Sequence, residues 1–334
     1  VDGMCSTALM TRALRALGGR VVPFIPDRRT DGYDLSDAGV EAAIAAGATL
    51  VLTCDCGTSA LAAATRLRTH GIDLIISDHH LPGGPLPPAV AVLNPQRTDQ
   101  PYAEVGRDLA AVGVAFKLAL QVTRARGGNE NVVLNMLDLV AMATVADVAR
   151  LRGENRVMVR RGLGLLADSK SAGIRALIRS SGLEGKEITA GRVGFILAPR
   201  LNALGRLAQA IRGVELLLAE TDAEANAIAR QCEELNRERQ EMDRTLLDSA
   251  LHTVAAMDLD STWAVTLAGE GWHPGVIGIV ASRVVEQTAR PVFMIAVQDG
   301  VGKGSGRSIG AFDLHAALVA CDDLLIKQIG RAHV

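Results

Sequence analysis

Six residues of this sequence could hold a hard metal ion: Asp2, Asp55, Asp78, His79, His80 and Asp147. Asp55 follows the apolar run ATLVLTC, and Asp78-His79-His80 follow IDLIIS. Both runs read as buried strands. Asp2 stands at the start of a helical pattern, where a preceding strand would end, and Asp147 closes an apolar helix in ATVADV. Open parallel sheets bind ligands beyond the carboxyl ends of their strands, so these places are expected to converge on one sheet edge. Carboxylates and imidazoles without thiolates suit Mn²⁺ or Mg²⁺ better than a structural zinc. Two such ions about 3.5–4 Å apart serve in-line displacement at phosphorus, activating water and neutralising the leaving oxygen. Taken singly, each aspartate also reads as a turn residue or a helix cap, and the Asp-His-His triplet as surface polarity. The apolar strand that runs straight into the triplet argues against the latter. Cys54 and Cys56 flank Asp55 and read as packing residues.

The elements that must carry these groups alternate in type. Helical spacing of Leu9, Met10, Leu14 and Leu17 opens the chain. A short β-rich run follows at Arg20–Pro26, a helix at Val40–Ala46, a strand at Ala48–Cys54, a helix at Thr58–His70 capped by Thr58 or Ser59, and a strand at Ile72–Ser77. Ala89–Leu93 is a further short apolar run inside a Pro/Gly-rich stretch at 83–102. This βαβα order implies an α/β fold, a doubly wound parallel sheet. Apolar helices are expected at Asp108–Arg124 and Val132–Val145, then a helical region from about 155 to 220 interrupted by a loop, APRLNALGR, at Ala198–Arg206. Thr221-x-x-Glu224 is a capping box. It opens a stretch without Gly or Pro to about Met257, a long charged helix suited to connect two lobes. A smaller α/β domain follows. Its expected strands are Trp263–Leu267 and Pro291–Val297, its helices Gly275–Val285 and Phe312–Ala320, with a glycine-rich polar loop at Gly300–Ser308. The expected division is 1–220, a connecting helix 221–257, and 258–328.

With 334 residues, 49% hydrophobic and 22% charged, the chain has material for two cored domains and is not a disordered polymer. No apolar run approaches the ~20 residues that span a bilayer, and no basic n-region precedes an apolar h-region. A net charge of −2 excludes a polybasic protein while leaving room for a local basic groove. Five scattered cysteines, an odd number without paired zinc spacing, point to free thiols in a reducing, cytosolic compartment. Thirty arginines against five lysines read as codon bias of a GC-rich genome. The chain starts without Met, and its last six residues, IGRAHV, are also the one-frame translation of a sequencing-adapter end, with Gln328 fitting the preceding bases. Residues 329–334 are therefore expected to be read-through, and His333 carries no functional weight.

The triplet Asp78-His79-His80 after a strand resembles the signature of the DHH phosphoesterase superfamily, and the chain looks like its RecJ-type exonucleases along nearly its whole length. VDGMCSTALM resembles the tail of the family's first motif, VLTCDCGTSA the second, SDHHLPGGPLP the third, and LDLVAMATVADV with ENR at 154–156 the fourth. APRLNALGR is similar to a segment that separates RecJ-type enzymes from shorter relatives, while GWHPGVIGIVASR and KGSGRSIGAFDLHAAL resemble the DHH-associated nucleic-acid domain. The resemblance implies that Asp55 bridges two Mn²⁺ or Mg²⁺ ions, that Asp2, His79 and Asp147 complete one site, that Asp78 orients an imidazole, and that His80 faces the scissile phosphate. The family's first motif carries another aspartate two residues before Asp2. One ion is therefore expected to bind this chain more tightly than a second.

For nucleic acid, the resemblance places Arg200, Asn202 and Arg206 near the strand, although an Arg-Asn-Arg structural network is an equal reading. His273, Arg283, Lys303, Ser305, Gly306, Arg307 and Ser308 gather donors around glycines, which suits phosphate oxygens. Trp272 reads either as a base-stacking ring or as packing within its lobe. The implied activity is 5′-to-3′ hydrolysis of single-stranded DNA to mononucleotides in repair and recombination, with a helicase and a single-stranded-DNA-binding protein as partners. The alternatives are a DHH relative acting on short RNAs or dinucleotides and a non-catalytic replication scaffold.

Overall fold

A parallel sheet with a helical layer on each face organises the first of two units, Val1–Leu235; the second is Asn236–Val334. The computed structural model describes residues 1–27, 34–99 and 106–326. In the first unit α1 (Asp2–Ala16) and α2 (Asp37–Ala45) precede β1 (Leu50–Cys54), α3 (Leu61–Thr69), β2 (Asp73–Ser77) and β3 (Ala91–Leu93). The strands lie in the order β1-β2-β3, all parallel, with Leu50 opposite Asp73 and Ile75 opposite Ala91. Side chains alternate across the sheet. Val51, Leu74, Ile76 and Val92 join Val40, Ala64 and Leu67 of α2 and α3 in one core. Leu52, Cys54 and Leu93 face the other, larger core.

That larger core belongs to helices: α4 (Ala111–Ala125), α5 (Glu130–Leu134), α6 (Leu137–Ala146), α7 (Gly153–Ala167) and α8 (Ala172–Ser180), then α9 (Ala198–Leu207), α10 (Ile211–Leu218) and α11 (Asp222–Ala255). Leu139 to Ala143 in α6 are all inaccessible to solvent, so α6 is a central helix without a polar face. Its neighbours approach at backbone distance. A Cβ on Gly162 of α7 would lie 2.0 Å from the Leu137 carbonyl oxygen, and one on Gly173 of α8 would lie 1.8 Å from that of Leu216.

Several sequence expectations are corrected here. Arg20–Pro26 is not a strand; Pro23 and Pro26 remove donors that a ladder needs. The helix expected from Thr58 begins at Leu61 without a side-chain cap, because Thr58 serves the site described below. The helix expected over Val132–Val145 is broken at Asn135–Met136, where Asp138 Oδ1 accepts from the N–H of Leu139 and starts a new helix. Ala198–Arg206 is not a loop but most of α9, which continues from a π-helical turn at Val193–Leu197. Pro199 follows directly on the π-helical turn, a local break in the i→i−4 ladder of the kind at which a helix accommodates a proline. The capping residue Thr221 accepts from the N–H of Glu224 at 3.3 Å, and α11 runs 34 residues across the boundary between the units.

In the second unit β4 (Val265–Glu270), α12 (Pro274–Thr288) and β5 (Val292–Gln298) form a βαβ crossover, and β6 (Val301–Arg307) returns antiparallel to β5 before α13 (Leu314–Ala320). The glycine-rich segment expected as a loop is thus mostly strand. Asp299 and Gly300, both at positive φ (50° and 75°), make the tight turn that pairs it. The ladder uses backbone groups alone, so alternating glycines do not prevent it. Residues 329–334 lie outside the described residues.

The glycine contact in α7 is testable. Gly162→Ala is expected to destabilise the chain by about 1–3 kcal/mol, as overpacking does. Gly164→Ala, on the same helix with nothing within 4 Å of its Cβ, should be neutral or stabilising by about 0.5–1 kcal/mol. Urea or thermal unfolding of both variants checks this; an unchanged midpoint for Gly162→Ala would contradict the packing of α6 on α7.

Candidate metal centre

The carboxyl ends of β1 and β2 deliver Asp55 and the triplet Asp78-His79-His80 side by side. The strand ladder continues into them, since Asp55 N–H donates to Ser77 O and Asp78 N–H to Leu93 O, both at 3.0 Å. Asp55 then turns the chain at φ 67°, a left-handed conformation that aspartate tolerates better than most residues. The turn is held by Thr53 Oγ1, which donates to Cys56 O at 2.7 Å. Gly57, at φ 110°, lies so close to Thr53 that a Cβ would stand 2.8 Å from its hydroxyl. Asp2 arrives from the first turn of α1 and Asp147 as the residue that ends α6. The next residue, Val148, is at φ 57°, which is costly for a β-branched side chain.

These groups meet around one imidazole nitrogen. His79 Nε2 lies 3.2 Å from Asp55 Oδ1, 3.6 Å from Asp147 Oδ2 and 3.9 Å from Asp2 Oδ2. It is buried and makes no hydrogen bond of acceptable geometry. Two donor sets have ligand atoms within 4.8 Å of one another: Asp2, His79 and Asp147, and Asp55, His79 and His80. Hard oxygens and imidazole nitrogens around a buried, poorly satisfied ring nitrogen fit a divalent cation of the Mn²⁺ or Mg²⁺ type. The neighbouring thiols do not compete for that role. Burial pushes Cys54 up to about 12 and Cys56 well above its usual range, and neither thiol belongs to either donor set.

Asp78 plays a different part. Its Oδ1 accepts from the N–H groups of His79 and His80 and stands 2.6 Å from His80 Nδ1, while Oδ2 accepts from the N–H of Thr58 at 3.1 Å. Burial opposes its charge, but the His80 hydrogen bond and charge and the Thr58 donors outweigh it and hold its carboxyl below the usual range. Asn94, just past β3, donates to Thr58 Oγ1 at 2.9 Å and to His80 O at 2.7 Å, locking this network. Asp34 accepts from the N–H of Gly57 at 2.6 Å on the far side of the turn. None of Asn94, Thr58 and Asp34 stands out as a site residue from the sequence. Asn94 carries the same signal as Asp55 and Asp78, a polar residue at the carboxyl end of a strand.

The nucleic-acid candidates divide between the units. In the first, Arg200 forms a two-pronged pair with Glu233 (2.6 and 3.2 Å) and donates to Ile196 O. Asn202 Oδ1 accepts from the Val1 amino group at 3.3 Å, and Arg206 lies on the same helix. In the second, Lys303, Ser305 and Arg307 alternate onto one face of β6. Arg307 reaches Ser282 on α12, beside the exposed Arg283. His273 caps α12 by accepting from the N–H of Gly275. Gly306 lies under Phe293 and Leu314, and Ser308 donates to Phe312 O. Trp272 is half-buried, its ring against Gly269.

The electrostatics of the cluster set the pH dependence of ion binding. Burial, with Asp55 and Asp147 nearby, pushes the Asp2 carboxyl up. For His79, burial opposes the charged form, but the Asp55 contact and the surrounding carboxylates prevail and raise it to about 9. A cation must displace these protons. Mn²⁺ affinity should therefore rise with pH from about 6.5 to 8.5 and fall on acidification, by up to about tenfold per pH unit for each proton released. Calorimetry at about pH 7 in buffers of different ionisation enthalpy should show at least about one proton released. A flat affinity across that range would contradict this charge arrangement.

The chain matches the model of the DHH family, N-terminal domain, over residues 1–144 and that of the DHHA1 domain over residues 260–324. It is 39% identical over 326 residues to the single-stranded-DNA-specific exonuclease RecJ of Bacillus subtilis, a match that covers 97% of this chain and 40% of that protein. The chain thus spans less than half the length of that relative. It is similar to the crystal structure of an exonuclease RecJ bound to manganese, with a TM-score of 0.84 and 37% identity over 98% of this chain and 80% of that one. A second similar structure is RecJ in complex with Mn²⁺ from Thermus thermophilus, with a TM-score of 0.81 and 35% identity over 98% of this chain and 46% of that one. With both domains in order and this likeness along most of a solved RecJ chain, the protein belongs to the RecJ family of the DHH superfamily.

Proposed function

We propose that this chain is the nuclease core of a metal-dependent exonuclease that hydrolyses single-stranded DNA from its 5′ end to mononucleotides. The observation that carries the reading is the position of His79, which belongs to both ligand sets. In this reading Asp2, Asp55, His79 and Asp147 hold Mn²⁺ or Mg²⁺. The bound ions supply charge neutralisation at phosphorus and an activated water for in-line displacement. Asp78 fixes the His80 ring through Nδ1, which leaves Nε2 as the nitrogen that faces the scissile phosphate and gives or takes a proton there. His80 also stands within reach of the second ligand set, but an Nε2 that moves a proton cannot at the same time ligate an ion, so in this reading it stays uncoordinated.

Backbone phosphates would be held in the second unit by Lys303, Ser305 and Arg307 on β6 with Arg283, Ser308, the Gly306 backbone and the His273 turn, and in the first unit by Asn202 and Arg206. Arg200 supports that helix through Glu233. Aromatics make up 3% of the chain, so phosphate contacts rather than stacking should dominate, giving salt-sensitive binding without sequence preference. In this reading the protein would act in repair and recombination in the bacterial cytoplasm, on strands opened by a helicase and coated by a single-stranded-DNA-binding protein. No helix among the described residues is long and apolar enough to cross a membrane.

The test is nucleotide release from single-stranded DNA labelled at either end, with and without Mn²⁺, using this chain and the full-length gene product. Mononucleotides should appear first from the 5′ label, require the metal, and be absent with duplex DNA. His80→Ala should slow release by about 10²–10⁴-fold. Cleavage of dinucleotides with long DNA left intact would replace this reading by a small-substrate phosphodiesterase. Metal binding without cleavage of either substrate would favour a scaffold.

A further inference from the structure

Outside the ligand sets, one buried side chain touches the backbone of both segments that aim the Asp2 and Asp147 carboxylates. Asn155, in the first turn of α7, is 1% exposed. Its amide nitrogen donates to Asp108 O and, at 3.1 Å, to Arg150 O. Its carbonyl oxygen is buried without a partner. Two acceptors facing one group require the NH₂ end there, so the amide orientation is determined by its surroundings.

Each carbonyl belongs to a segment with a task at the metal centre. Asp108 leads directly into α4, whose first two N–H groups, those of Ala111 and Val112, donate to Asp2 Oδ2 and Oδ1 at 2.8 Å each. The Arg152–Asp108 ion pair ties the same segment to the start of α7. Arg150 lies at the end of the turn that begins with Asp147 and passes through Val148 at φ 57°. The backbone bonds of this turn run from Asp147 N–H to Ala143 O at 2.9 Å, from Val148 N–H to Val145 O and Ala149 N–H to Thr144 O at 3.2 Å each, and from Arg152 N–H to Arg150 O at 3.0 Å. A left-handed valine between Asp147 and Arg150 is strained and persists only where the surroundings fix it, and the Asn155 bond to Arg150 O is the side-chain part of that fixing.

We propose that Asn155 is a positioning residue for the metal centre: by clamping the segment before α4 to the turn after α6, it sets the spacing of the Asp2 and Asp147 carboxylates across His79. The proposal rests on reading that cluster as a metal centre. Outer-shell partners that bond a ligand directly are worth about 10–100-fold in metal affinity; Asn155 acts through the backbone, one step further out, so the lower end of that range is expected.

The experiment is the Mn²⁺ dissociation constant of the full chain, measured by electron paramagnetic resonance of free Mn²⁺ well below the melting temperature, for the wild type, Asn155→Ala and Asn155→Ser. Circular dichroism and melting of the metal-free proteins accompany it. A structural residue would lower the melting temperature and leave the constant alone. Asn155→Ala should weaken binding at least about tenfold. Asn155→Ser, which keeps one donor, should fall between it and the wild type. If Asn155→Ala does not fold, the serine variant decides, with a weakening of about threefold expected. A constant within about twofold of wild type in the folded alanine variant, or unchanged in the serine variant when only that one folds, overturns the proposal and leaves the metal centre standing. Failure of the wild-type chain to bind Mn²⁺ overturns both.

Discussion

Like charges crowded around one buried imidazole are the constraint on which the rest of this structure depends. Asp2, Asp55 and Asp147 point oxygens at His79 Nε2 within 3.9 Å, in a setting that disfavours charge. Carboxylates packed this way repel one another unless a cation lies among them. They stay in place because each arrives on a different rigid element: the start of α1, the end of β1 and the end of α6. The first turn of α4 adds two N–H groups aimed at Asp2, so a helix N-terminus offsets part of its charge. Left-handed residues at Asp55 and Val148 cost about 1–3 kcal/mol each. Such strain persists only where surrounding packing over-determines it. The glycine-mediated approaches of α7 to α6 and of α8 to α10 supply that rigidity.

Close approach at glycines also shapes the second unit. Glycines at 302, 304 and 306 let β6 lie against Ile295, Phe293 and Leu314 on one side. The alternate positions Lys303, Ser305 and Arg307 present donors on the other. Gly278 in α12 makes room for Ser305 and Arg307, since a Cβ there would stand 2.8 Å from the serine hydroxyl and 2.9 Å from the guanidinium. Burial lowers Arg307 from its ordinary value, but an arginine remains charged at any physiological pH. The strand is therefore a rigid row of donors rather than a flexible loop.

Much of this is legible from sequence because a parallel sheet presents its chemistry at strand ends. Apolar runs that stop at Asp55 and at Asp78-His79-His80 reveal both the strand and the place where its ligand lies. What is not legible has two physical sources. Backbone pairing is blind to side chains, so GKGSGR looks like a loop although Asp299-Gly300 is a hairpin turn in plain view. Side chains that act on backbone carbonyls or hydroxyls have no spacing signature, so Thr58 reads as a helix cap and Asn155 as one letter of a motif. The segment APRLNALGR is distinctive in the sequence, but its proline suggests a loop where it occupies the first turn of a helix.

Hydrogen-bond capacity distinguishes two buried aspartates of the cluster, Asp2 and Asp78. Asp78 Oδ1 already faces three nitrogens, the N–H groups of His79 and His80 and the ring nitrogen of His80, and Oδ2 takes Thr58. The Thr58 side chain also hydrogen-bonds this carboxylate, so Asp78 is crowded by more donors than Asp2 and its charge is turned towards His80 and Thr58. Asp2 Oδ1 accepts from Val112 and Ser6, but Oδ2 accepts from Ala111 alone, and Oδ2 is the oxygen nearest His79 Nε2. A carboxylate oxygen carries two lone pairs, so the one not used by Ala111 is available to a cation. In the proposed reading, the carboxylate crowded with donors orients His80 and the one with a spare acceptor ligates. The number of N–H groups that the fold aims at each buried aspartate is what would separate the two tasks.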